Sequence, residues 1–372
     1  MTEPALLPII RPTLPDFDDW VAELRGVWDS GMLTVSDRGR RFEAAVADVC
    51  GVEHAVSMAN CTSGLILLLA AQNLPRGGEV VVPAFTFAAT AHAVLWNGLV
   101  PVFADCDAST LTMDPASARA KLSDRTVAVM ATTIFGTPPD LDALQALADE
   151  AGVPLLLDSA QALGSTWRGT PMGRFGVGEV FSFSPTKVAT AAEAGVVTTT
   201  DGELAARLRR YRDYGKATDG QDMEFLGLSA RLSELHAVVG LATVTNLSSY
   251  IEHRRAAIAT YQAALGDLPG VSFPGVPDVA TTSCNYMVMR VGAGAPLDRN
   301  ALYARLADER IQTKKYFYPA VHRQTLYRAD PGPSLPNAEA AAAECIAVPL
   351  FGHISAAQID RVVVAVRTAF GA

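Results

Sequence analysis

The chain has 372 residues, 49% hydrophobic, 19% charged and 7% aromatic, with 30 basic against 39 acidic side chains and a formal charge of −9. So apolar a chain can offset its ordering entropy, which excludes disorder as the main state, and single cores stop growing near roughly 250–300 residues, which favours a large domain beside a smaller one. The acidic balance, without any Lys/Arg run, argues against nucleic-acid or anionic-membrane partners and for a small-molecule one.

The opening Met1-Thr2-Glu3-Pro4 lacks the basic region of a secretory signal, and the longest apolar stretches, 65–71 and 153–157, fall far short of the ~20 residues of a membrane span; a cytoplasmic location is expected. Between residues 50 and 200, short β-branched runs alternate with Ala/Leu stretches, the rhythm of an α/β domain with a largely parallel sheet. Strands are predicted at 54–58, 79–82, 100–104, 126–132, 154–158, 179–183 and 196–200. Helices are predicted at 62–73, opened by Thr/Ser caps, at 87–97 and at 140–151; Asp114 and Asp140 read as ordinary turn and cap chemistry.

A helical pattern then runs from about 229 to 265, with Arg254 and Arg255 on a solvated face, followed by a Pro/Gly-rich loop over 267–278. Beyond it a strand at 286–291, a helix at 299–310, a strand at 311–316 and a terminal helix at 355–370, capped by Ser355, predict a smaller α+β domain. The division expected is a large domain over 1–250, its first 30 residues packing near the small one, and a small domain over 251–372. Five scattered cysteines without a C-x-x-C read as reduced thiols, and six histidines without paired spacing give no metal site.

No strand is followed by G-x-G-x-x-G and no G-x-x-x-x-G-K-[ST] occurs, so the common nucleotide loops are absent. Four features lie instead at strand ends, where open α/β sheets bind ligands. Asp158 ends an apolar strand and needs a cationic or hydrogen-bonding partner, although capping the next segment would also explain it. Lys187, 29 residues on, is flanked by aromatic, small and apolar residues apart from Glu179; a surface lysine is the plain reading, an amine nucleophile able to form a Schiff base the functional one. The turn Asn60-Cys61-Thr62-Ser63-Gly64 suits a phosphate at a helix start, or simple N-capping. Phe87 is either core or a stacking platform. Phosphate turn, aromatic, carboxylate and lysine together match the needs of pyridoxal phosphate.

The ordered set of motifs resembles the DegT/DnrJ/StrS family of fold-type I sugar aminotransferases over nearly the whole chain. The matching segments include Asn60-Cys61-Thr62-Ser63-Gly64-Leu65, Val82-Pro83-Ala84-Phe85-Thr86-Phe87, Phe135-Gly136-Thr137-Pro138, Leu157-Asp158-Ser159-Ala160-Gln161, Phe181-Ser182-Phe183 with Lys187, Arg231-Leu232-Ser233-Glu234 and Tyr316-Phe317-Tyr318-Pro319 with His322. The resemblance implies a mostly parallel seven-stranded sheet flanked by helices and a homodimer with shared active sites, a pairing also suggested by the apolar helix around 232–241. By the same resemblance Lys187 carries pyridoxal 5'-phosphate, Asp158 bonds its ring nitrogen, Gln161 lies by the ring hydroxyl and Phe87 stacks on the ring. Cys61, Thr62 and Ser182 hold the phosphate, with a residue from the partner subunit. That residue is normally Asn, where this chain has Ser229. A second departure replaces the usual Gly-Glu-Gly-Gly turn with Ala192-Glu193-Ala194-Gly195.

The implied reaction transfers an amino group from L-glutamate to a nucleotide-linked keto-sugar, with Tyr316 and His322 as substrate residues or as interface packing. A 4-keto-6-deoxy sugar is the favoured acceptor, with a 3-keto sugar or keto-cyclitol as alternatives. A sugar dehydratase on this fold would carry His in place of Lys187, and a regulatory or structural homologue would have no need to keep Asp158, Gln161 and Lys187 together.

Overall fold

The computed structural model describes residues 5–329 and 332–372; residues 1–4, read above for a signal, lie outside them. Seven strands make the central sheet: β1 (His54–Met58), β2 (Glu79–Pro83), β3 (Val100–Ala104), β4 (Thr126–Thr132), β5 (Leu155–Asp158), β6 (Gly178–Ser182) and β7 (Gly195–Thr199). Each matches its expected segment to within a residue at either end. Their order is β1-β7-β6-β5-β4-β2-β3, with β2 to β6 parallel and β7 antiparallel to both its neighbours.

Helices cover both faces, so whole strands are apolar rather than alternating. Val80, Val82, Met130, Leu156 and Val180 pack with Leu65, Leu68 and Val94 on one face; Val81, Val129, Leu157 and Phe181 pack with Phe42, Leu144 and Leu147 on the other. The helix expected at 62–73 spans Cys61–Ala70, and its cap is Asn60 rather than a Thr or Ser: Asn60 Oδ1 accepts from Ser63 N at 2.8 Å while Ser63 Oγ accepts from Asn60 N at 3.3 Å.

The pattern over 229–265 resolves into two helices, Glu234–Thr245 and Leu247–Leu265. They part at Asn246, whose side-chain amide donates to Ala242 O at 2.9 Å in competition with the backbone ladder. The first helix does not offer a free apolar face, because helix Asp37–Cys50 covers it so closely that a Cβ on Gly240 would fall 2.7 Å from the Phe42 ring. In the second, Arg255 is exposed but Arg254 is not: it shares the buried stripe of Tyr250, Ile251, Ala257 and Tyr261, and donates to Asn285 O at 3.0 Å. The solvated-face reading of Arg254 is therefore corrected, because the i, i+3, i+4 register outranks its charge.

The boundary anticipated at 250/251 falls inside this helix. Tyr250 and Ile251 join the central core; Ala257, Tyr261 and Leu265 join a separate core under a three-stranded antiparallel sheet, ordered β8 (Val271–Ser272), β9 (Met287–Val291), β10 (Cys345–Val348). The stretch 311–316 is no strand, only isolated bridges from Ile311 to Leu7 and from Lys314 to Ala347. Leu7 N donates to Arg310 O at 2.9 Å and Leu350 N to Ile9 O at 3.1 Å, which seats the N-terminal stretch beside this smaller layer, whereas helix Phe17–Ser30 packs on Glu234–Thr245. Among the described residues no helix is long and apolar enough to cross a membrane.

Candidate active site

The carboxyl ends of the parallel strands open into a cavity of about 320 Å³, within the size range of small-molecule sites. Its wall carries Cys61 and Thr62 from the turn after β1, Thr86 and Phe87 after β2, Thr132 at the end of β4, Asp158 at the end of β5 with Gln161 beyond it, and Ser182 at the end of β6 with Lys187 beyond it. One topological feature, the parallel sheet's edge, thus gathers side chains spread over 127 positions of chain.

Asp158 is buried at 4% exposure. Its Oδ2 accepts from Thr90 Oγ1 at 2.6 Å and its Oδ1 from Ala160 N at 3.2 Å. Burial pushes the carboxyl above its usual range, while the Thr90 bond, the Ala160 amide and the Lys187 charge oppose the rise. Gln161 is held by Phe135 N donating to its Oε1 at 2.8 Å, which leaves the amide NH₂ as the free donor. Lys187 is half-buried, its Nζ 5.9 Å from the centre of the Tyr286 ring.

The helix start at Cys61 presents first-turn amides with no carbonyl four residues back, and the Thr62, Ser182, Ser184 and Thr186 hydroxyls share its wall. Burial raises the Cys61 thiol well above its usual value, Asp158 adds to the rise, and Lys187 opposes it; the group is a neutral S–H that does not repel an anion. The turn is pressed against β7, since a Cβ on Gly195 would lie 2.5 Å from the Asn60 carbonyl and 2.6 Å from Cys61 N. Gly195→Ala is expected to lower stability by roughly 1–3 kcal/mol through this overpacking and to weaken cofactor uptake, checked by thermal melts and a pyridoxal phosphate titration. Ala192, where the resemblance expects glycine, sits at φ 62°, a left-handed conformation that costs a side chain about 1–2 kcal/mol. Ala192→Gly should raise the melting temperature in the same assay.

Phe87 lines the cavity with its ring 61% exposed. Tyr316 lines it too, in contact with Tyr286; burial raises its phenol, as do the Tyr286 charge and hydrogen bond. His322 does not reach it. That ring is 3% exposed, packs 6.2 Å from Phe103 and meets Glu339 Oε1 through Nε2 at 3.1 Å, an interior position that holds the segment after Pro319. Ser229 is exposed and absent from the cavity of its own chain. Sequence reasoning missed Thr86, Thr132, Ser184, Thr186, Glu193, Tyr286 and Phe317 on the wall. The hydroxyls stood at strand ends and carried a weak signal; Phe317 stood in the motif around Tyr316 without being singled out, and Tyr286, just before β9, carried none.

The DegT/DnrJ/EryC1/StrS aminotransferase family model matches residues 17–367. The chain belongs to this family. It is 32% identical over 371 residues, 99% of each chain, to a UDP-N-acetyl-3-dehydro-alpha-D-glucosamine 3-aminotransferase from Acidithiobacillus ferrooxidans. It is 34% identical over 343 residues, 91% of this chain and 92% of the other, to the erythromycin biosynthesis sensory transduction protein EryC1 of Saccharopolyspora erythraea. Among solved structures it resembles DesI, crystallised in the presence of its TDP-sugar product, with a TM-score of 0.93, 36% identity, and coverage of 98% of this chain and 92% of that one. The protein is thus a fold-type I, pyridoxal-phosphate-dependent aminotransferase.

The aminotransferase's cavity fits that cofactor by its donor set: one primary amine, a buried carboxylate able to accept from a ring N–H, an amide donor from Gln161, and hydroxyls around a helix start.

Proposed function

We propose that this cytosolic aminotransferase moves an amino group from L-glutamate to a nucleotide-linked 4-keto-6-deoxy sugar by a ping-pong mechanism. The observation that carries the reading is that Lys187 and Asp158 share one cavity with Gln161 and the hydroxyl-lined turn at Cys61 and Thr62. Bound there, pyridoxal phosphate supplies an aldehyde for imine formation and a ring that accepts the electron pair released at the donor carbon.

The rest is the chain's work. Lys187 would carry the cofactor through Nζ, and that amine, once freed, would serve as the base that takes the proton from the donor carbon. Asp158, buried and accepting from Thr90, keeps a charged oxygen for the ring nitrogen. Gln161 offers its amide hydrogens to the ring hydroxyl, and Cys61, Thr62 and Ser182 bind the phosphate. Phe87 would stack on the cofactor ring, and Tyr316 bounds the space where the sugar enters. DesI was crystallised with a TDP-sugar product, which supports a nucleotide-linked acceptor. A 3-keto acceptor is the second reading, favoured by the relative named as a 3-aminotransferase.

A homodimer completes the site. Among the described residues lining the cavity, Lys187 is the one cation, against Asp158 and Glu193, while the cofactor phosphate and a dicarboxylate donor both bring negative charge. Ser229 is the residue proposed to reach the partner's phosphate. It lies in an exposed apolar stretch with Leu226, 93% exposed, and Leu228.

The test incubates the loaded enzyme with L-glutamate and a panel of nucleotide-linked 4-keto-6-deoxy sugars, 3-keto sugars and keto-cyclitols, reading 2-oxoglutarate release. Turnover is expected with the first class. Turnover confined to another class replaces the acceptor, and sedimentation of a fully active monomer overturns the shared site.

A further inference from the structure

Along the cavity wall a line of threonine hydroxyls ends on Asp158. Thr90, fully buried on helix Ala89–Trp96, donates to Asp158 Oδ2 at 2.6 Å. Thr86 Oγ1 lies 2.9 Å from Thr90 Oγ1 and 3.3 Å from Thr132 Oγ1, and all three threonines are buried. The direction of the line is set by proton count. An ionised carboxylate only accepts, so the single hydroxyl proton of Thr90 is committed to Asp158, and Thr90 accepts from Thr86, whose one proton then serves the 2.9 Å contact to Thr90 in place of the 3.3 Å contact in which it faces Thr132 as donor. Each hydroxyl that accepts becomes a better donor, so the line strengthens the bond at its Asp158 end.

We infer that Thr90 is a positioning residue for the transamination: its hydroxyl, backed by Thr86, locks the Asp158 rotamer and holds that side chain as the charged acceptor facing the cofactor ring. This rests on the function proposed above. Among the described residues the other Asp158 oxygen has only the longer backbone bond from Ala160 N, at 3.2 Å, so no second short bond from them fixes the carboxylate plane. The charged or titratable groups facing Asp158 are Lys187, on the segment after β6, and Cys61, at the start of the neighbouring helix. Neither is a fixed hydrogen-bond partner of the carboxylate. Val in place of Thr90 keeps the shape of the side chain and removes only the donor.

The experiment follows the Asp158 carboxyl in the full-length chain by ¹³C NMR with labelled aspartate, the resonance being assigned by its loss in Asp158→Asn. In Thr90→Val the titration midpoint is expected to rise by about one to two pH units, the worth of a hydrogen bond to a charged group. Thr90→Ser should bring it back toward wild type. After loading with pyridoxal phosphate, Thr90→Val should lose kcat roughly tenfold or more with a smaller change in the glutamate KM, and Thr90→Ser should recover it. Should Thr90→Val fail to fold, Thr90→Ala against Thr90→Ser gives the same comparison. Equal midpoints with and without the hydroxyl, or a serine variant that behaves like valine, overturn the inference. A wild-type chain that takes up no cofactor sinks the transaminase reading instead, and leaves the midpoint comparison to stand or fall by itself.

Discussion

Lys187→Ala is expected to abolish transamination while leaving the fold intact. The side chain is half-buried at the mouth of β6 and has no hydrogen-bond or ion-pair partner among the described residues, so its removal costs little packing. What is lost is chemical. The base contribution alone is worth roughly 10²–10⁴-fold, and without the amine the cofactor has no covalent attachment. The variant should therefore keep the wild-type melting behaviour, bind pyridoxal phosphate reversibly, and release it on dialysis. A Lys187→Ala protein that retains more than a few per cent of wild-type turnover would remove this residue from the reaction.

Glu179→Ala should be the most damaging change to stability. This carboxylate, fully buried on β6, accepts from Ser159 Oγ at 2.5 Å, from Phe175 N at 3.0 Å and from Gly173 N. Each donor left without an acceptor costs about 1–3 kcal/mol, so the total is about 3–9 kcal/mol before relaxation or water entry reduces it. That is a large part of a typical domain's stability. Ser159 follows Asp158 directly, so the same loss should loosen the site. Burial pushes the Glu179 carboxyl up to about 7, opposed by the bonds from Ser159 and the loop amides. An acid whose folded value is raised favours the native state below its ordinary value of 4.5 and loses that advantage as pH rises through about 7. Wild type should thus lose stability across that window, and Glu179→Ala should lack the corresponding slope in urea melts taken from pH 4 to 8. A variant as stable as wild type at pH 6 would contradict the assignment.

Much of this was legible in order along the chain. Runs such as Val80-Val81-Val82 and Leu155-Leu156-Leu157 announce strands buried on both faces, and the parallel sheet follows from their alternation with helices. Asp158 and Lys187 stood out because each is an ionisable group at the end of an apolar strand. The place of His322 was not legible: Tyr316 and Phe317 line the cavity, but the turn after Pro319 carries the imidazole to Glu339. Arg254 misled because charge was read as exposure, whereas its register places it among Tyr250, Ala257 and Tyr261.

The sequence by itself determined the seven strands, the helical layers and four features that the structure gathers around one cavity, because each is marked by local pattern: apolar runs, caps, and charge where charge is out of place. Only the tertiary structure decided that Thr90 holds Asp158, that Glu179 clasps the loop at Gly173, and that Tyr286 and Phe317 close the cavity. Thr90 lies 68 positions from Asp158, and Tyr286 and Phe317 are farther still along the chain from the turn at Cys61; hydrogen bonds and packing at such separations depend on which strands become neighbours, which no local window of residues encodes.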